Sequence, residues 1–149
     1  MSDREDTTPG VAVLAELRPA LLDLHKALLD WDQEVMMPAK GVEARAQQVA
    51  LVAGLEHEWL AGEEMKRLLD GAKFDPADEA AVTNVRETRR LHERSARVPR
   101  ALVEELARQT TLAREVWVKA RDTSDFANFA PMLGTLVDLK KKVADAIGY

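Results

Sequence analysis

The sequence predicts an all-α protein: five or six helices in an antiparallel arrangement of hairpins and bundle, with no sheet. Three observations carry that prediction. Apolar residues recur at helical spacings of three and four along most of the chain. No stretch alternates with period two or gathers β-branched residues between turn dipeptides. Proline and glycine fall where they would separate helices rather than interrupt strands.

Residues 1–8 are expected to be disordered, and 9–149 to form a single helical domain. Thr8-Pro9 reads as an N-cap followed by proline at the first helical position. Leu14, Leu17, Leu21, Leu24, Leu28 and Trp31 then recur at spacings of 3, 4, 3, 4 and 3, a heptad seam and the strongest periodic signal in the chain. Pro19 lies off that seam and predicts a kink near residue 18. The first helical region ends at Met36-Met37-Pro38-Ala39-Lys40-Gly41, because the residue before a proline disfavours helix.

A second helix is expected over about 42–61, with Ala44, Gln48, Leu51, Leu55 and Trp59 on its core face, Val49 and Val52 broadening it, and Gly54 at a close helix contact. Gly62 interrupts it, and a short helix over Glu63 to Leu69 stops at Gly71. Asp75-Pro76 with Asp78 and Glu79 reads as the next start, acidic in its first turn. This helix, running to about Ala96, has little large apolar content beyond Val82, Val85 and Leu91, so pairs such as Glu93 with Arg89, Arg90 and Arg97 are expected to support it. Val98-Pro99 breaks it. The next helix runs to about Asp122, with Leu102, Leu106, Ala113, Val116, Trp117 and Ala120 facing the core. Ser124-Asp125 caps the last element, Phe126 and Phe129 anchor a short turn, and helix restarts at Pro131. Its stripe is Leu133, Leu136, Val137, Val143, Ala144 and Ile147.

The chain has 149 residues, 46% of them apolar and 32% charged, which suits one soluble domain with a real core. It has no cysteine, which excludes disulfides and thiolate chemistry and fits a reducing compartment. No window approaches the roughly 18 apolar residues of a membrane span, and the polar, acidic start is unlike a signal peptide. The expected location is the cytoplasm, with no membrane partner. Net charge is −5. Residues 84–100 nevertheless hold Arg86, Arg89, Arg90, Arg94, Arg97 and Arg100 against Glu87 and Glu93, a local +4 that leaves −9 for the remainder. This run has three readings: ion pairing within the chain, docking against another lobe or a substrate carboxylate, and phosphate contact. The acidic remainder and the lack of interleaved aromatics argue against nucleic acid.

Hydrolytic chemistry leaves recognisable patterns. A helical zinc site needs His-Glu-x-x-His, which places two imidazoles one turn apart with the glutamate as general base. His57-Glu58-Trp59-Leu60-Ala61 and His92-Glu93-Arg94-Ser95-Ala96 each put alanine where the second ligand belongs. His25 is the only other histidine. The Glu-x-x-His pattern of di-iron bundles, the glycine-rich phosphate loops and the Gly-x-Ser-x-Gly elbow have no match either. The histidines are expected at surface or boundary positions, and Trp31, Trp59 and Trp117 as core filling. Met36-Met37 is expected to pack, or to form an adaptable contact surface. Asp32-Gln33-Glu34 sits at a helix end and reads as a solvated terminus; because acidic groups there gain nothing from the dipole, the alternative is that it holds a partner such as Arg45.

Taken in order, Trp31-Asp32-Gln33-Glu34, Met37-Pro38 and Glu43-Ala44-Arg45-Ala46 resemble the start of the carboxypeptidase Taq family. Asn84-Val85-Arg86-Glu87, Arg89-Arg90 and Arg97-Val98-Pro99 continue the resemblance, as do Asp125-Phe126-Ala127-Asn128-Phe129-Ala130-Pro131 and Ile147-Gly148-Tyr149. The likeness runs from about residue 14 to the end. It implies a helical zinc enzyme that removes C-terminal residues from peptides, usually as a homodimer, with its metal ligands well downstream of the matched stretch. Family members continue for several hundred residues past the point matched by Tyr149, and their first helices flank a deep groove. The expectation is then a truncated relative, inactive alone, with no catalytic residue, metal ligand or cofactor in this chain. Groove-flanking or interaction roles fall to Trp31, Asp32, Gln33, Glu34, Arg45, Arg86, Arg89, Arg90 and Arg97. The expected partner is a second copy or a missing catalytic lobe. The alternative is a stand-alone interaction or regulatory domain that self-associates or binds a full-length relative.

Overall fold

The structure, a computed structural model, describes residues 41–149 together with Asp23. The expectations for residues 1–8, the Leu14–Trp31 seam, Pro19 and Met36-Met37 lie outside the described residues. From Val42 onward the chain is all helical, with no strand among the described residues. The elements are α1 (Val42–Ala61), α2 (Glu63–Asp70), α3 (Glu79–Ser95), α4 (Arg100–Asp122) and α5 (Phe126–Ile147).

Local chemistry sets the boundaries. Gly62 adopts an extended conformation between α1 and α2, and a Cβ there would lie 2.6 Å from the Glu58 carbonyl oxygen. Asp75 accepts a bond from the Ala77 amide at 2.9 Å, forming a turn. Asp78 is the true cap of α3, accepting from the Ala81 amide at 3.0 Å. Pro99 starts α4, and Asp125 caps α5 by accepting from the Asn128 amide at 3.2 Å. Gly148, with φ 99°, is the left-handed cap that ends α5, and it donates to the Ala144 carbonyl at 2.9 Å.

α1 and α4 form the main packing pair, and α4 also carries α5. Three contacts set the direction of the first pair: Glu43 meets Arg108, Gly54 meets Glu104 and Glu58 meets Arg100. As α1 advances α4 recedes, so the two run antiparallel. The tight turn at 123–125, closed by the Asp125 amide on the Ala120 carbonyl at 2.7 Å, makes α4 and α5 a hairpin. α2 and α3 close the other end against α1.

The core keeps Val49, Val52 and Gly54 of the expected face of α1 and overturns the rest of it. Val42, Arg45, Ala46, Val49, Ala50, Val52 and Gly54 are buried, whereas Leu51 is 56% exposed, Leu55 is 42% exposed, and Ala44 and Gln48 are exposed as well. Ala46, Ala50 and Gly54 form a ridge of small residues spaced by four, which lets the α4 backbone approach closely. Large side chains would hold the helices apart.

Four other expectations are corrected as well. Trp117 is 43% exposed, with Arg121 stacked over its ring at 5.2 Å. Leu133 and Val137 are 38% and 43% exposed, and Leu139 is the buried residue of α5. Pro131 lies inside α5 rather than at its start. As the sixth residue of the helix it removes one intrahelical bond, the one that an amide at 131 would give to the Ala127 carbonyl. Phe126 opens α5 at 66% exposure and does not anchor a turn.

Candidate functional site

Of the expected site residues, Trp31, Asp32, Gln33 and Glu34 lie outside the described residues. Arg45 is on α1 and is only 1% exposed, one of the two largest fully buried side chains described. Burying a guanidinium is costly unless it is paired, so the position is structurally committed and is not a free surface charge.

The arginine run is tied mostly into the fold. Arg89 reaches from α3 to the end of α2, bonding the Asp70 carboxylate at 2.6 Å and the Leu69 carbonyl at 2.8 Å. Its guanidinium holds the Asp70 carboxyl below the usual carboxylate range. Arg86 bonds Glu87 at 3.0 Å and Arg90 approaches the same carboxylate at 3.6 Å. Glu87 is likewise held low, chiefly by Arg86. Arg97 donates to the Ile147 carbonyl at 2.8 Å, satisfying the open end of α5. Arg94 bonds the Tyr149 hydroxyl and lies 5.4 Å from the centre of its ring. Arg100 joins Glu104 at 2.6 Å and Glu58, linking α4 to α1; these two carboxylates, Glu104 first, raise its pKa. For Arg86, Arg89, Arg90 and Arg97 the partners are Glu87, Asp70 with the Leu69 carbonyl, and the Ile147 carbonyl, where the sequence pointed to Glu93.

A second cluster was not anticipated. Arg108 on α4 bonds Glu105 at 3.0 Å and approaches Glu43 of α1 at 3.5 Å. Gln109 also donates to Glu105 at 2.8 Å. Arg108 first and Gln109 second hold the Glu105 carboxyl below its ordinary value. The Glu105–Arg108 spacing of three is legible in sequence, but the Glu43 contact depends on α1 packing against α4.

His57 is half-buried on α1. His92 is 8% exposed, which corrects the expectation of a surface or boundary residue, and its Nδ1 lies 2.8 Å from the Leu60 carbonyl at the end of α1. No group of three or more His, Asp or Glu side chains among the described residues is placed to hold a metal ion. No described helix is long and apolar enough to cross a membrane.

The outer side of α5 carries an open groove of about 480 Å³ lined by Leu133, Leu136, Val137, Lys140, Lys141 and Ala144. The sequence marked its apolar residues as a core stripe. Of that stripe Leu133 and Val137 are exposed, whereas Leu136, Val143, Ala144 and Ile147 are half-buried.

Comparison with known proteins places these features. Residues 17–149 match the carboxypeptidase Taq (M32) metallopeptidase family. Thermostable carboxypeptidase 1 of Thermus thermophilus is 38% identical over 130 residues, covering 81% of this chain and 24% of the relative. The protein of the same name from Pyrococcus furiosus is 31% identical over 132 residues, covering 83% and 25%. Carboxypeptidase 1 of Bacillus subtilis is 27% identical over 125 residues, with the same 83% and 25% coverage. The chain thus spans about a quarter of the length of the curated relatives it matches. With the match running from residue 17 to residue 149, the chain belongs to the carboxypeptidase Taq (M32) metallopeptidase family.

Proposed function

We propose that this chain forms helical scaffolding of a metallocarboxypeptidase that releases C-terminal amino acids from peptides, and that by itself it is inactive and lacks the zinc site. One observation carries this reading: the family match runs along nearly the whole chain yet reaches only 24–25% of the relatives' length. The donor chemistry agrees with it. Each His-Glu pair lacks its second imidazole, because Ala61 and Ala96 occupy the ligand position one turn on. The His92 ring is moreover engaged by a backbone carbonyl within a packed corner. The residues described therefore do not fit a zinc site, and no hydrolytic step is assigned to them.

The network around Arg89, Arg94, Arg97 and Arg100 supports a scaffolding role, because it spends its charge on joining helices. The test is elemental analysis of the purified 149-residue chain together with an assay for amino-acid release from blocked dipeptides in added zinc. The expected result is no stoichiometric metal and no release. Bound zinc at one equivalent together with hydrolysis would overturn the reading.

A further inference from the structure

We infer that the outward row of α5, Leu133, Leu136, Val137 and Ala144 beside Lys140 and Lys141, is the seam on which the part of the family fold beyond this quarter docks. The inference rests on the scaffold reading above and adds the surface and the chemistry of its partner: an apolar helix or loop face flanked by carboxylates. α5 is 22 residues long, yet Leu139 is the one buried residue in it. Its neighbour among the described elements is chiefly α4, so one side of the helix is packed and the other is open. α1, by contrast, already contacts α2, α3 and α4.

The open side is continuous rather than scattered. Leu133, Leu136, Val137 and Ala144 fall on one helical face and line a single groove. Leu133 and Val137 are exposed and Leu136 and Ala144 half-buried, a small apolar strip of the kind that marks an interaction site more often than isolated leucines do. About three quarters of each relative lies outside the matched stretch, and so large a remainder has to pack against some face of this one. Of the two rim lysines Lys141 approaches Asp138 of the same helix at 3.9 Å, so Lys140 sets the sign of the partner's flanking charge.

The test compares the same substitutions in two settings: the 149-residue chain alone, and a chimera in which residues 17–149 replace the matching quarter of the Thermus thermophilus relative. Leu133→Gln with Val137→Glu removes the apolar row while leaving α5 able to form, since a glutamate at 137 would face Lys141 one turn on. The expected result is a thermal midpoint lowered by roughly 5 °C or more in the chimera, with no measurable change in the isolated chain. Equal losses in both settings would mean that residues of this chain before Gly41 cover the row, and no loss in either would mean that it is ordinary solvated surface. A dimer of the isolated chain that the substitutions dissolve, read by light scattering, would make a second copy the occupant. Each of these three outcomes overturns the inference. A chimera that does not hydrolyse peptides overturns the scaffold reading instead, however the row behaves.

Discussion

Gly54 shows how a single residue sets a helix crossing. A Cβ at this position would lie 2.9 Å from Cγ and Cδ of Glu104, and closer still to its Oε1. Because the obstacle is the end of a flexible side chain, Gly54→Ala should displace the carboxylate from Arg100 while gaining about 1 kcal/mol of helix propensity. We expect a net change under about 1 kcal/mol for alanine and a loss of about 1–3 kcal/mol for Gly54→Leu, which must push the helices apart; urea denaturation measures both. Three carboxylates add a pH dependence. Asp70, Glu87 and Glu105 have folded pKa values below their ordinary ones, held down chiefly by Arg89, Arg86 and Arg108. Their stabilisation is therefore fully present above the unfolded pKa of about 4 and lost as pH falls through the folded values. Urea midpoints should decline below about pH 4, and Glu105→Gln should make that decline shallower. An unchanged acid limb in this variant would exclude Glu105 as a contributor.

Among the elements, α3 and α5 depend most on their caps. Each begins with an aspartate that accepts from an amide three residues on, Asp78 from Ala81 and Asp125 from Asn128. Asp78→Ala and Asp125→Ala are each expected to cost about 0.5–2 kcal/mol. The two caps share no partner, so the double variant should be near additive. Thermal unfolding followed by circular dichroism tests this. Both starts were legible in the sequence, because a cap is a contact between residues three apart. The buried face of α1 was legible only in part, at Val49, Val52 and Gly54. Its apolar residues lie on more than one side, so periodicity offers two candidate stripes, and the choice falls to whichever side α4 can approach. Small residues won there over leucines because close backbone approach buries more of both helices. The arginine run was legible as a feature that required partners, but Asp70, Ile147 and Tyr149 are 19, 50 and 55 residues away from the arginines that use them.

For the molecule as a whole, stability should be uneven. Among the described elements α1 and α4 share the largest interface, and α5 packs mainly against α4. In hydrogen exchange of the isolated chain, amides of α5 are expected to open first and those in the middle of α1 and α4 last. Slow exchange in α5 equal to that of α4 would contradict this packing hierarchy. The sequence alone determined the helical class, the stops at Gly62, Gly71 and Pro99, the aspartate caps and the family, because all of these are written in residues close together along the chain or in their order. Only the tertiary structure decided that Leu51, Leu55, Trp117, Leu133 and Val137 face outward, that Arg45 and His92 are buried, and which carboxylate or carbonyl each arginine takes. Those outcomes depend on which helix comes to lie beside which. Local periodicity specifies that a face is apolar but contains no term for what will cover it.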